Sequence, residues 1–106
     1  MKAYTISTDG ERRELFPRPR MEEDGLVLCP DTFTRSELED IVAGYVEVIP
    51  MTDEVVMIVN DNGEGRDLPL NRAATELLIK ANPKTEDYIL GNVVVCKASM
   101  IKGEEL

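Results

Sequence analysis

The chain lacks histidine and tryptophan, carries two cysteines, and has aromatic side chains at 5% of its 106 positions. Without histidine, the commonest general base and the commonest metal ligand are missing. Cys29 and Cys96 belong to no Cys-x-x-Cys pair, so neither a disulfide framework nor a structural zinc site is expected. We therefore expect no metal, no cofactor, no catalytic residue and no enzymatic activity.

Long apolar runs are also missing. No stretch approaches the ~18–20 residues that a membrane span needs. The first residues contain no long apolar segment of the kind that a secretory signal requires. These features predict a cytoplasmic protein that does not enter a membrane.

Acidic residues outnumber basic ones. The chain has 12 Lys and Arg against 21 Asp and Glu, a net charge of −9. Residues 21–66 hold twelve acidic and two basic side chains, whereas residues 1–20 hold three acidic and five basic ones. Direct nucleic-acid binding needs a basic surface and is therefore not expected. The acidic block 21–66 is interpreted either as a solvated face or as an imitation of DNA phosphates.

The patterns of apolar and β-branched residues predict a mostly antiparallel sheet. Strands are predicted over 2–7, 11–16, 26–29, 45–51, 54–59, 66–70 and 88–97. Asp9-Gly10 predicts a two-residue type I′ turn between the first two strands, and Gly91-Asn92 predicts a bulge in the last strand. Residues 17–31 are predicted to be a loop-rich excursion, and 102–106 a frayed tail.

Two short helices are predicted beside the sheet. Thr34 and Glu37 have the spacing of a capping box that opens a helix over about 35–43, and Gly44 is the predicted left-handed cap at its end. Asn71 is the predicted cap of a second helix over 72–81. Its inner face is expected to carry Ala74, Leu77, Leu78 and Ala81. The fold class is therefore α+β, in a single small domain over 1–106.

A few residues are candidates for function. Glu39 and Asp40 are predicted to face water on the first helix, and Ile79 lies opposite the inner face of the second helix. These three form a candidate interaction surface. Three polar residues are weak candidates to line a pocket: Tyr45, Asn71 and Asn92. The turn at 60–65 is interpreted as a hairpin connection, because position 12 of a calcium loop would fall on Asn71 rather than on Glu.

Several segments together resemble a known family. They are Phe33-Thr34, Glu37-Leu38, Ile41-Val42, Gly44–Ile49, Met57–Gly63, Leu68–Thr75 and Asp87–Val95. Over about residues 33–95 the chain resembles the bacterial and phage family known as domain of unknown function 3846. That family has no established activity, cofactor or catalytic residue. The resemblance implies a context of phages and mobile elements.

Three functional hypotheses follow. The first is a cytoplasmic, non-enzymatic protein that acts through contact with an unknown protein partner, in an oligomeric state that the sequence does not specify. The second is an acidic DNA mimic that inhibits a DNA-binding defence enzyme, which requires the carboxylates of 21–66 to share one face. The third is a small-molecule or nucleotide-binding module, which requires a formed pocket.

Overall fold

The fold is built on a five-stranded antiparallel sheet, seen in a computed structural model that describes residues 1–101. The order of its strands is β2-β1-β7-β6-β5. The elements, in chain order, are β1 (Tyr4–Ile6), β2 (Arg12–Glu14), β3 (Arg20–Glu22), β4 (Gly25–Val27), α1 (Arg35–Val42), β5 (Val46–Pro50), β6 (Val55–Asn60), α2 (Arg72–Ala81) and β7 (Val93–Lys97). A short 3₁₀ helix, Ala98–Met100, follows β7. The predicted α+β class, with a mostly antiparallel sheet and two helices, is confirmed.

The two helices cover opposite faces of the sheet. Leu38 and Val42 of α1 pack in one core with β6 and β7, whereas Ala74 and Leu78 of α2 pack in the other. Successive side chains of a strand point to opposite faces, so β7 contributes Val94 and Cys96 to the first core and Val93 and Val95 to the second. This double burial explains why β7 is apolar from Val93 to Cys96 instead of alternating. Burial also raises the pKa of the Cys96 thiol to about 11.

The start of α1 follows its local sequence signals. Thr34 accepts a hydrogen bond from the amide of Glu37, and Glu37 accepts one from the amide of Thr34. Phe33 and Leu38 are both buried in the same core. The predicted capping box is confirmed, and the helix begins at Arg35 as expected.

The end of α1 differs from the prediction. Ala43, not Gly44, takes the left-handed conformation, with φ 64° and ψ 41°. Gly44 serves a different purpose, because a Cβ there would lie 2.7 Å from Nδ2 of Asn60. That amide is buried and donates to the carbonyl of Val42 at 3.0 Å. Gly44 is therefore needed for a close approach between the end of α1 and β6.

Ala43→Gly is expected to stabilise the protein by about 0.5–1 kcal/mol, because a left-handed backbone strains any residue with a Cβ. The measurement is the free energy of unfolding in urea. Ala81→Gly, at the exposed last residue of α2, is the control and should not stabilise the protein, because Ala81 is not left-handed. Equal effects of the two changes would show that Ala43 is not strained.

Other local predictions are wrong at their turns and ends. The first hairpin turns through Thr8-Asp9-Gly10, with Gly10 at φ 89° and Asp9 not left-handed, so it is a three-residue loop rather than a type I′ turn. Hydrogen bonds from the hydroxyl of Ser7 and the amide of Glu11 hold Asp9 in this loop and lower its pKa. Ala81 is exposed, although it was expected on the inner face of α2.

Most of the predicted strands are shorter than expected, and one loop is more regular. Residues 66–70 contribute one bridge, Leu70 to Leu90, since residues 61–67 form turns and Pro69 has no amide hydrogen to donate. The predicted strand over 88–97 begins at Val93, because Gly91 is left-handed at φ 83° and turns the chain instead of forming a bulge. The excursion 17–31 contains the hairpin β3–β4. The tail predicted over 102–106 lies outside the described residues.

Candidate functional site

The β5 strand is an edge of the sheet. It pairs with β6 on one side, from Val46 opposite Asn60 to Pro50 opposite Val56. Two backbone hydrogen bonds, one at each end of β5, identify which of its residues bond to β6. Asp61 donates to the carbonyl of Tyr45 at 3.0 Å, and Met51 donates to the carbonyl of Val55 at 2.9 Å. Because such pairs alternate in an antiparallel ladder, Glu47 and Ile49 bond to β6.

The backbone of Val46, Val48 and Pro50 therefore turns away from the sheet. Among residues 1–101, no group bonds to the amides of Val46 and Val48 or to the carbonyls of Val46, Val48 and Pro50. Proline has no amide hydrogen, so Pro50 occupies a position where a donor would have pointed outward. The open edge of β5 thus presents two donors and three acceptors, while its other edge is paired with β6.

The opposite edge of the sheet is protected. β2 has three residues, all of them charged and exposed. The guanidinium of Arg12 lies over the ring of Tyr4, 5.5 Å from its centroid. Charged side chains on a short strand discourage pairing with another chain. β5 is longer, and its neighbour Tyr45 and its own Val48 expose 63% and 37% of their surfaces. It is therefore the edge that is more open to a further strand.

A cleft of about 280 Å³ lies beside β5 on the face of the sheet that α2 covers. Its apolar lining comes from Ile49, Val59, Ile89 and Leu90. Four carboxylates also line it: Glu47, Glu64, Glu86 and Asp87. We call this feature the acidic cleft. Within residues 1–101 none of the four carboxylates forms an ion pair.

One wall of the acidic cleft is the turn at 61–67, and the other is the segment 86–90. The turn contacts this segment at Gly63, where a Cβ would stand 2.9 Å from Cβ of Leu90. The segment 86–90 is held by α2 and its cap. The amide of Ile89 donates to the hydroxyl of Thr75 at 2.8 Å, and the carbonyl of Ile89 accepts from the amide of Asn71 at 2.7 Å. The carboxylates are not arranged as a metal site, since no three Cys, Asp or Glu side chains of the described chain converge in that way.

The three predicted pocket residues do not come together. Asn71 is 0% exposed, and its side chain makes its hydrogen bonds within the fold. Oδ1 accepts from the amide of Ala74, while Nδ2 donates to the carbonyls of Ile6 and Gly91. Asn92 is exposed, accepts from the amide of Thr8 at 3.2 Å, and borders a small cleft of about 140 Å³. Neither Tyr45 nor Asn71 lines that cleft.

The predicted interaction residues lie on two different helices. On α1, Glu39 pairs with Arg35 at 3.6 Å and Asp40 pairs with Arg18 at 3.1 Å. On α2, Ile79 is 44% exposed, as its helical phase predicts. Since α1 and α2 cover opposite faces of the sheet, these residues do not form one continuous surface.

The basic residues near the N-terminus have an internal role that the sequence did not indicate. Arg20 donates to the carbonyl and the hydroxyl of Thr32 at 2.7 and 2.9 Å. Oε2 of Glu37 accepts from the amide of Arg18 at 2.8 Å. These bonds attach the hairpin β3–β4 to the start of α1.

The acidic cleft was also missed. Glu47 is a charged residue in an otherwise apolar strand, and that exception is a signal available in the sequence. Glu86 and Asp87 reach the same cleft through the packing of α2, which no local pattern reports.

Comparison with known proteins gives one match. A family model described as "Domain of unknown function (DUF3846)" matches residues 20–105. The resemblance predicted over 33–95 is thus confirmed and extends over the hairpin β3–β4. No curated protein and no solved structure matches the chain. No helix in the described part of the chain is long and apolar enough to cross a membrane.

Proposed function

We propose that this chain, which belongs to the family described as domain of unknown function 3846, is a non-enzymatic module that binds a partner protein by strand addition at β5. The observation that carries the proposal is the outward backbone of Val46, Val48 and Pro50, which has no partner among residues 1–101. In strand addition, main-chain hydrogen bonds supply the affinity and side-chain pockets on either face supply the specificity.

The environment of β5 suits this role. Val46 and Ile49 pack into the two cores, one on each face of the sheet, so the strand is fixed before a partner arrives. A rigid edge loses little conformational entropy on binding, and this favours affinity. Val48 adds an exposed apolar side chain in the middle of the strand.

The other hypotheses have less support. DNA mimicry requires one acidic face, whereas Glu39 and Asp40 on α1 are paired with arginines, and Glu47 and Glu64 lie at the acidic cleft on the other side of the sheet. A small-molecule pocket built from Tyr45, Asn71 and Asn92 is not favoured, because these residues do not share a cleft. Strand addition remains the function that the geometry favours most.

Hydrogen exchange followed by NMR tests this proposal. In the free protein we expect the amides of Val46 and Val48 to exchange at nearly unprotected rates, because they lack hydrogen bonds, whereas those of Glu47 and Ile49 should be protected. A partner captured from a lysate of the native host should then protect Val46 and Val48.

Two variants of Val48, each used to capture the partner, separate binding at the edge of β5 from binding elsewhere. Val48→Pro removes one outward donor and should abolish capture of that partner, whereas Val48→Thr keeps the amide and should retain it. Protection of Val46 and Val48 in the free protein at every protein concentration, or equal capture by both variants, would contradict strand addition.

A further inference from the structure

We infer that the segment that adds to β5 is basic, with Lys or Arg at every second position and an apolar residue between them. The inference rests on the proposed function and names the chemistry of its partner. The open edge of β5 provides the docking surface, and the acidic cleft beside it determines which side chains the added strand should carry.

The alternation follows from the register of β5. Residues directly opposite each other in paired strands place their side chains on the same face. Partner residues opposite Glu47 and Ile49 therefore project over the acidic cleft, which those two residues line. The partner residue between them lies opposite Val48, whose neighbour Ile58 belongs to the core under α1. Its side chain lies beside that of Val48, which is apolar and exposed, so an apolar residue fits there.

Charge complementarity selects a basic occupant. Glu47, Glu64, Glu86 and Asp87 all line the acidic cleft, and none of them forms an ion pair inside residues 1–101, so the cleft carries uncompensated negative charge. A cationic side chain laid over the cleft is attracted by this charge. A second copy of the chain is the less favourable occupant, because pairing β5 with β5 would bring two such clefts together on molecules that each carry a net charge of −9.

Three blocked peptides test the inference. The first is Thr-Lys-Val-Lys-Val-Lys-Thr, the second has the same composition in blocks, Thr-Lys-Lys-Lys-Val-Val-Thr, and the third replaces each Lys of the first by Glu. Calorimetry at low salt gives the affinities, and amide chemical shifts of Val46 and Val48 locate the binding. We expect the alternating lysine peptide to bind about tenfold more tightly than either of the others. Its affinity should fall as salt is raised.

Matched variants show whether the acidic cleft is responsible. Glu86→Gln combined with Asp87→Asn removes two charges from the cleft with little change in shape, and should weaken the alternating lysine peptide about tenfold. Glu23→Gln combined with Asp24→Asn, in the turn between β3 and β4, removes the same charge elsewhere and should leave its affinity unchanged.

The failures of the two proposals are distinguishable. If all three peptides shift the amides of Val46 and Val48 with equal affinity, or if both double variants behave alike, the basic specificity is wrong and strand addition stands. If none of the three peptides shifts those amides at millimolar concentration, both proposals fail. Protection of these amides that grows with protein concentration would instead identify a second copy as the occupant, and would overturn the inference.

Discussion

Replacing Asn71 by alanine is expected to lower the free energy of unfolding by about 3–5 kcal/mol, because three buried backbone groups lose their partner at once. Oδ1 accepts from the amide of Ala74 at 3.0 Å, and Nδ2 donates to the carbonyls of Ile6 at 3.0 Å and Gly91 at 2.8 Å. One side chain thus joins the start of α2 to β1 and to the residues before β7. For a domain of this size the melting temperature should fall by about 15–25 °C.

Two further substitutions define what Asn71 does. Asn71→Asp keeps an acceptor for the amide of Ala74 but places a carboxylate against the two carbonyls, so it should also destabilise strongly. Asn92→Ala removes one exposed hydrogen bond, to the amide of Thr8, and should cost less than about 1 kcal/mol. Urea unfolding of the three variants provides the comparison. A loss at Asn71→Ala no larger than that at Asn92→Ala would contradict this account.

Asn71 also shows what the sequence can predict and what it cannot. Its place as a helix cap was predictable, because capping depends on residues within one turn. The two bonds of Nδ2 reach Ile6 and Gly91, which are distant in the chain, so no local pattern indicates them. The three hydrogen bonds of this side chain satisfy the cap and leave it little freedom to bind a ligand, so the structure favours the structural role of Asn71 over its predicted place in a ligand pocket.

The same distinction holds across the fold. The capping box of Thr34 and Glu37 and the apolar run of β7 were predictable, because the first is a local hydrogen-bond pattern and the second reflects burial on both faces. The strand predicted over 66–70 failed because Pro69 breaks a pairing that its leucines favoured. β3 was not predicted because Arg20 and Glu22 look like solvated charges, although Arg20 binds Thr32.

The candidate site was the least predictable part. The β5 strand itself was expected over 45–51, but its place at an edge depends on the order in which distant strands assemble. The acidic cleft needs Glu47 from β5 and Asp87 from the segment that α2 supports. These residues come together only when the sheet and α2 assemble. In the sequence, each of them looks like an ordinary charged residue at the surface.

Replacing Glu37 by alanine is expected to cost about 2–4 kcal/mol and to release the hairpin β3–β4, because two backbone amides and two arginines depend on its carboxylate. Oε1 accepts from the amide and the hydroxyl of Thr34 at 3.1 Å, and Oε2 accepts from the amide of Arg18 at 2.8 Å. Nε of Arg18 lies 3.9 Å from Oε2, and Nη1 of Arg20 lies 3.9 Å from Oε1.

The release can be measured by proteolysis as well as by urea unfolding. Trypsin should cleave after Arg20 faster in Glu37→Ala, since Arg20 loses a charged neighbour and the hairpin loses its attachment to α1. Glu37→Gln keeps one carbonyl oxygen but turns an amide donor toward a backbone amide, so it should lie between the wild type and Glu37→Ala. Glu39→Ala, two residues along the same helix, loses a partly exposed pair with Arg35 and should cost about 0.3–0.5 kcal/mol without faster cleavage. If Glu37→Ala and Glu39→Ala lose the same stability and are cleaved at the same rate, Glu37 does not attach the hairpin, and the loop-rich excursion predicted from the sequence would be the better description of residues 17–31 in solution.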